Sequence, residues 1–243
     1  MSAAIAIARL TWLRLLRGRT IWISVILLCI PLALAGIAVL RVDDPWSRWL
    51  HVTELTLRSL VLLAPVVHLA PAVSEEIDGR TYTYLWSRPI PRTSLIFGKM
   101  LAVTPALVVL SAGAIMAAWL ITSQGAGETP AEWLWPAFTA VVTGVVGASC
   151  FAVGVATLYP RQPLAVAIGW VLFFEQIFPA IPTIQQLSTL FHAQVIAGMP
   201  HAFIEKADTS VPASLITLGS LSAIWLALAV WRIRAAELSQ ADS

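Results

Sequence analysis

Six apolar stretches, each close to the length that crosses a bilayer, decide what this chain can fold into. They run from Ile21 to Leu40, about Leu57 to Val73, about Leu101 to Thr122, about Trp135 to Leu158, Pro163 to Ile181 and Leu215 to Trp231. A helix rising about 1.5 Å per residue needs about 20 residues to cross a hydrocarbon core of about 30 Å. Within that core the backbone must satisfy its own hydrogen bonds, so runs of this kind read as transmembrane helices. Pro136 and Pro163 fall in first turns, which accept proline; Pro31, Pro65, Pro71, Pro105 and Pro179 lie deeper, where packed neighbouring helices compensate. Composition agrees: only 12% of the 243 residues are charged and 58% are hydrophobic, whereas a soluble domain carries about 25% charged residues. The predicted fold is an all-α integral membrane protein with six transmembrane helices.

Lysine and arginine placement sets the predicted orientation, because cytoplasmic loops retain positive charge. With the N-terminus inside, eleven of the 15 basic residues are cytoplasmic, three (Arg41, Arg48 and Lys206) are outside, and Arg58 lies in the second span. Both termini are therefore expected in the cytoplasm, as an even number of spans requires. Trp46, Trp49, Trp133 and Trp135 gather at the outer interface and Trp12, Trp22 and Trp231 at the inner one, as an aromatic belt would. A net charge of +2 gives no footprint for nucleic acid. Cys29 and Cys150 sit inside apolar runs, which excludes a disulfide framework or a thiolate metal cluster.

The whole chain, 1–243, reads as one membrane domain with three segments outside its spans. Residues 1–20 place Arg9, Arg14, Arg17 and Arg19 among Ile5, Trp12 and Leu16, predicting an imperfectly amphipathic helix lying in the inner interface, its arginines reaching lipid phosphates. Residues 74–100 open with Glu75, Glu76 and Asp78, pass through Tyr82, Tyr84, Leu85 and Trp86, and break at Pro89 and Pro91 before Arg92 and Lys99. Acid before base suits a short surface helix aligned with its dipole, and Thr93 or Ser94 is placed to start the next helix. Its aromatic face offers a dock for a separate cytoplasmic protein. Residues 182–213 mix apolar and polar residues and predict a partly re-entrant pair of short outer helices.

Charged or imidazole groups at membrane depth face the bundle interior or pair with one another. Glu175 lies about two-thirds of the way out along the fifth span, and Arg58 matches it in depth. Two readings stand side by side: Glu175 lines or gates a translocation path, or it forms a static ion pair with Arg58. His68 reads as a hydrogen-bonded helix contact. Gly144, Gly147, Ala148 and Gly154 form a small-residue strip for close packing of the fourth span.

The 74–100 segment resembles the signature of permease subunits of ABC-2-type ATP-binding-cassette transporters. The resemblance rests on Glu75 and Glu76 after the second span, then Thr81, Tyr84 and Leu85, then Arg88, Pro89, Ile90 and Arg92, then Gly98 and Lys99 leading into the third. Arg80 between Gly79 and Thr81 departs from the commoner Gly-Thr form. The resemblance implies that Glu75, Glu76, Asp78, Thr81, Tyr84, Leu85, Arg88 and Arg92 couple to an ATPase. It further implies two ATPase copies, a second permease copy or paralogue, surrounding membrane lipid, export as the direction, and the bacterial plasma (inner) membrane as the location. No G-x-x-x-x-G-K-[ST] loop occurs, because Gly98-Lys99 is followed by Met100. ATP and magnesium are therefore expected on the partner ATPase, with no cofactor on this chain.

In the resembling family, short outer helices before the last span cap the translocation path. His192, Met199 and His201 are candidate soft-metal ligands in that region, but they lack a fourth. Two other functions compete with an exporter permease. One is a non-transporting membrane scaffold or sensor; the other is an intramembrane enzyme using Glu175 and His68, for which no H-E-x-x-H motif or paired intramembrane carboxylate is present.

Overall fold

A computed structural model describes residues 3–17, 20–78, 93–123, 131–177, 181, 184–199 and 209–241, and every regular element among them is helical. Among the described residues five helices are long and apolar enough to cross a membrane: Trp22–Arg41, Pro45–Ile77, Thr93–Thr122, Ala131–Leu158 and Val211–Ala235. The predicted fifth span is instead a shorter apolar helix, Pro163–Ile177.

Helix α1 (Ala3–Arg17) lies along the start of α5 (Thr93–Thr122). Gly98 permits that approach, since a Cβ there would meet the Ala4 carbonyl oxygen and the Ile7 Cβ, each at 2.8 Å. The other side of α1 exposes Ile5, Leu10, Trp12 and Leu13 beside Arg9 and Arg14.

Helix α2 (Thr20–Arg41) turns through three residues into α3 (Pro45–Thr56). Asp44 caps α3, accepting from the Ser47 N–H at 2.8 Å and the Ser47 hydroxyl at 2.6 Å, with Pro45 as the first helical residue. Those bonds hold the Asp44 carboxyl below its ordinary value. The helix continues through a π-helical stretch, Leu57–Leu63, into α4 (Ala64–Asp78). The predicted second span therefore begins twelve residues too late, at Leu57 and not at Pro45. Arg48, His51 and Glu54 keep this stretch out of the apolar run, yet Arg48 is buried against the Val42 carbonyl.

Helix α6 (Leu134–Leu158) is the central element, and its small residues set the packing. A Cβ on Gly144 would lie 2.5 Å from Val61 Cγ1, on Gly147 2.9 Å from Leu218 Cδ1, and on Gly154 2.6 Å from Trp225 Cε3. Contacts 147–218 and 154–225 advance together, so α6 and α10 (Val211–Ala241) run parallel. The chain between them must therefore come back along the bundle.

The return leg starts with α7 (Pro163–Gly169), passes a second π-helical stretch, Trp170–Phe174, and ends in the single turn α8 (Glu175–Ile177). These segments of 7, 5 and 3 residues rise together about 22 Å, short of a full bilayer core. Phe151, Trp170 and Trp225 fasten this leg to α6 and α10, with ring centroids 5.1 to 6.3 Å apart. A 3-10 turn, Gln185–Leu187, precedes α9 (Thr189–Ile196), which buries Leu190, Phe191, His192, Ala193, Val195 and Ile196 against the bundle. Gly198, at φ +69°, ends α9 with the Met199 N–H reaching the Gln194 carbonyl at 3.0 Å. The predicted pair of short outer helices is thus one buried helix after a 3-10 turn among the described residues.

Candidate functional site

At one end of the bundle the acidic cluster does not begin a new helix. Glu75 and Glu76 occupy the last turn of α4, the helical end where carboxylates oppose the macrodipole. The expectation of a short helix opening at Glu75 is corrected accordingly: the helix of the second span runs on through the acidic pair. Lys99 supplies the compensation. Its Nζ lies 2.6 Å from Glu76 Oε1, with side-chain exposures of 5% and 24%, and it also donates to the Ala72 carbonyl.

The pair joins the two helices on either side of residues 79–92. Gly98, next to Lys99, is where α1 presses on α5. Three helices therefore meet within two adjacent residues, the Gly-Lys that the sequence showed only as a motif. Glu75 is exposed. Thr81, Tyr84, Leu85, Arg88 and Arg92 lie outside the described residues, as does the side chain of Asp78.

Glu175 stands at the opposite end, 4% exposed, and its carboxylate is engaged by donors that include no cation among the described residues. The Ser188 hydroxyl donates to Oε2 at 2.7 Å, the Leu190 N–H to Oε2 at 3.0 Å, and the Thr189 N–H to Oε1 at 3.1 Å. Ser188 Oγ in turn accepts from the Phe191 N–H at 3.0 Å. Together Glu175 and Ser188 satisfy the first three N–H groups of α9, which a helix leaves without intrahelical partners. A carboxylate thirteen residues upstream caps this helix from outside.

The predicted Glu175–Arg58 ion pair does not form. Arg58 contacts Glu54 Oε1 at 2.7 Å, four residues back on its own helix, and donates to the Gln176 side-chain oxygen. The link between the second span and the return leg runs through the residue after Glu175. Both polar residues sit at the π-helical stretches, Arg58 within Leu57–Leu63 and Glu175 directly after Trp170–Phe174. Such wide turns are rare and recur at functional positions.

His68 joins α4 to α2. Its Nδ1 lies 2.8 Å from the Ala64 carbonyl and so carries the proton, leaving Nε2 to accept from the Ser24 hydroxyl at 2.8 Å. His192 places Nε2 3.0 Å from the Gln186 carbonyl; His201 is outside the described residues. Among the described residues no three His, Cys, Asp or Glu side chains gather as a metal site.

Sequence reasoning missed Lys99, Gln176 and Ser188 as partners. The first was visible only as the end of a motif, and the other two as ordinary polar residues on either side of Pro179 and Pro182.

A comparison with curated proteins found no match. The sequence profile of the family described as ABC-2 family transporter protein matches residues 10–183, from within α1 through the return leg, and so includes Glu76, Lys99 and Glu175. The chain is a multi-pass membrane protein of the ABC-2 transporter family.

Proposed function

We propose that the chain is the membrane-spanning permease subunit of an ATP-driven exporter, paired with a separate ATPase through residues 75–92. The observation that carries this reading is the Glu76–Lys99 pair. Residues 79–92 leave from α4 and return to α5, and the pair holds those two helices together at the segment's base. A push on the segment would then move two spans as one unit, with α1 seated on the same joint through Gly98. Thr81, Tyr84, Leu85, Arg88 and Arg92 form the contact surface in this reading, and Asp78 and Glu75 flank it.

Six crossings with both termini cytoplasmic fit the parallel course of α6 and α10, which requires the short leg Pro163–Ile177 to carry the chain back between them. Helix α1 lies in the inner interface, its Arg9 and Arg14 against lipid phosphates. The complex contains two permease copies, or this chain and a paralogue, with two ATPase subunits holding ATP and magnesium, in a bacterial inner membrane. At the outer end, α9 caps the path and Glu175 latches it.

The test is purification of the tagged chain from its native membranes in mild detergent. An ATPase that co-purifies, and is lost with Leu85→Asp, supports the reading. Absence of any ATPase overturns it in favour of a non-transporting scaffold.

A further inference from the structure

Glu175 seats the first turn of α9, and Ala193, farther along it, meets the recess that Gly144 makes for Val61. Between those two anchor points in sequence is His192, 0% exposed, its ring edge-on to Phe191 with centroids 5.2 Å apart. Its two nitrogens are treated unequally. Nε2 lies 3.0 Å from the Gln186 carbonyl and so carries the proton, which makes Nδ1 an acceptor, and Nδ1 has no hydrogen-bond partner. An imidazolium would set a second N–H, and a full charge, where no acceptor meets it. Burial accordingly holds the ring below the ordinary histidine value, outweighing the Gln186 carbonyl, which favours the charged form.

Neighbouring charges do not offset this. The elements packed on α9 are α6, α10, the Leu57–Leu63 stretch, α8 and the Gln185–Leu187 turn. Among the described residues their charged groups at this end are Glu175 and Arg58. Ser188, Thr189 and Leu190 occupy Glu175, and Glu54 and Gln176 occupy Arg58. Helix α6 adds only the Cys150 thiol, the turn adds no titratable group, and the charges of α10 (Arg232, Arg234 and Glu237) come at its far end.

We infer that His192 makes the seating of α9 pH-sensitive: the helix stays seated while the ring is neutral, and a proton taken up at Nδ1 favours its release. Freed into water, the ring would ionise near the ordinary value of about 6.5. The released state then binds the extra proton, so seating is strongest above that value and weakens as pH falls below it. With the seated ring neutral throughout, the equilibrium constant for release rises about tenfold from pH 7.5 to 5.5. That the proton comes from the outer medium rests on the permease reading and its orientation; the pH response itself does not.

Hydrogen exchange of the full chain in nanodiscs tests this, expressed as protection factors so that the intrinsic pH dependence of amide exchange is removed. The probes are the amides of Leu190 and Phe191, whose acceptors are Glu175 and Ser188. Their protection should fall about tenfold between pH 7.5 and 5.5, while α5 beside Lys99 stays unchanged; in His192→Phe the fall should be less than about twofold. A flat profile in the parent, an equal fall in His192→Phe, or an equal fall at both ends of the bundle would each overturn the inference. Ring 15N spectra of the histidine-labelled parent need no variant, so they remain informative should His192→Phe fail to fold. At pH 5.5 the seated chain should show His192 as the neutral Nε2–H form, and an imidazolium there would overturn the inference as well. Neither readout needs an ATPase, so these results and that of the co-purification stand or fall separately.

Discussion

The two ends of the bundle each place a carboxylate out of water, and they satisfy it by different chemistry. Glu76 meets a lysine from another helix and stays partly open to solvent. Glu175 meets only hydroxyl and backbone donors and is almost wholly enclosed. A charge pair with one partner near the surface tolerates separation, because water can replace the lost partner. A buried carboxylate capping a helix has no such substitute, since moving α9 strands both the carboxylate and the first N–H groups of the helix. The first arrangement suits a joint that transmits movement, the second a latch that is closed or open.

That contrast is broken most easily at Glu175. Glu175→Ala should destabilise the chain by about 4 kcal/mol, because three donors lose their acceptor at about 1–3 kcal/mol each. Glu175→Gln keeps one acceptor oxygen and should cost about half as much. SDS-unfolding midpoints measure both, and equal losses for the two variants would show that the charge, and not the hydrogen bonding, holds α9. Lys99→Met should cost about 3 kcal/mol, at the low end for removing one partner of a buried pair, since Glu76 is partly exposed. Adding Glu76→Met should cost little more if the two side chains act as a unit, and a double-mutant cycle reads that coupling. An additive double variant would remove the pair from the account.

Gly98→Ala comes next, at about 2 kcal/mol, because the new methyl meets a backbone carbonyl that cannot rotate away. Limited proteolysis should then cut α1 faster while leaving α9 protected, and equal acceleration at both ends would contradict separate devices. The smallest effect belongs to Arg58→Met, about 1 kcal/mol, since its ion pair with Glu54 is half exposed. Its readout is faster cleavage near Gln176, with the inner joint unaffected.

Much of this was legible in the sequence, for identifiable reasons. Apolar runs announce membrane helices because the bilayer admits few alternatives, and the glycines of α6 announced close packing that the contacts with Val61, Leu218 and Trp225 display. The start of α3 escaped notice because hydropathy weighs Arg48, His51 and Glu54 as if each faced lipid. The Asp44-Pro45 pair, a cap followed by a first-turn proline, was the local signal that could have placed it. The partner of Glu175 was assigned by depth, which puts Arg58 nearest. Depth says nothing of a chain that folds back within a few residues, and the donors at Ser188, Thr189 and Leu190 come from such a fold. Lys99 was read as positive-inside charge when its burial makes it a structural counter-ion.

The central claim is that Glu76 and Lys99 join two spans at the base of the segment proposed to meet an ATPase. It is tested most directly by exchanging the charges and measuring ATP hydrolysis in the purified permease–ATPase complex. Glu76→Lys and Lys99→Glu should each lose the permease-dependent part of the hydrolysis, and the double exchange should restore most of it. Single variants that hydrolyse ATP like the parent, or a double exchange no better than either single change, would contradict the claim.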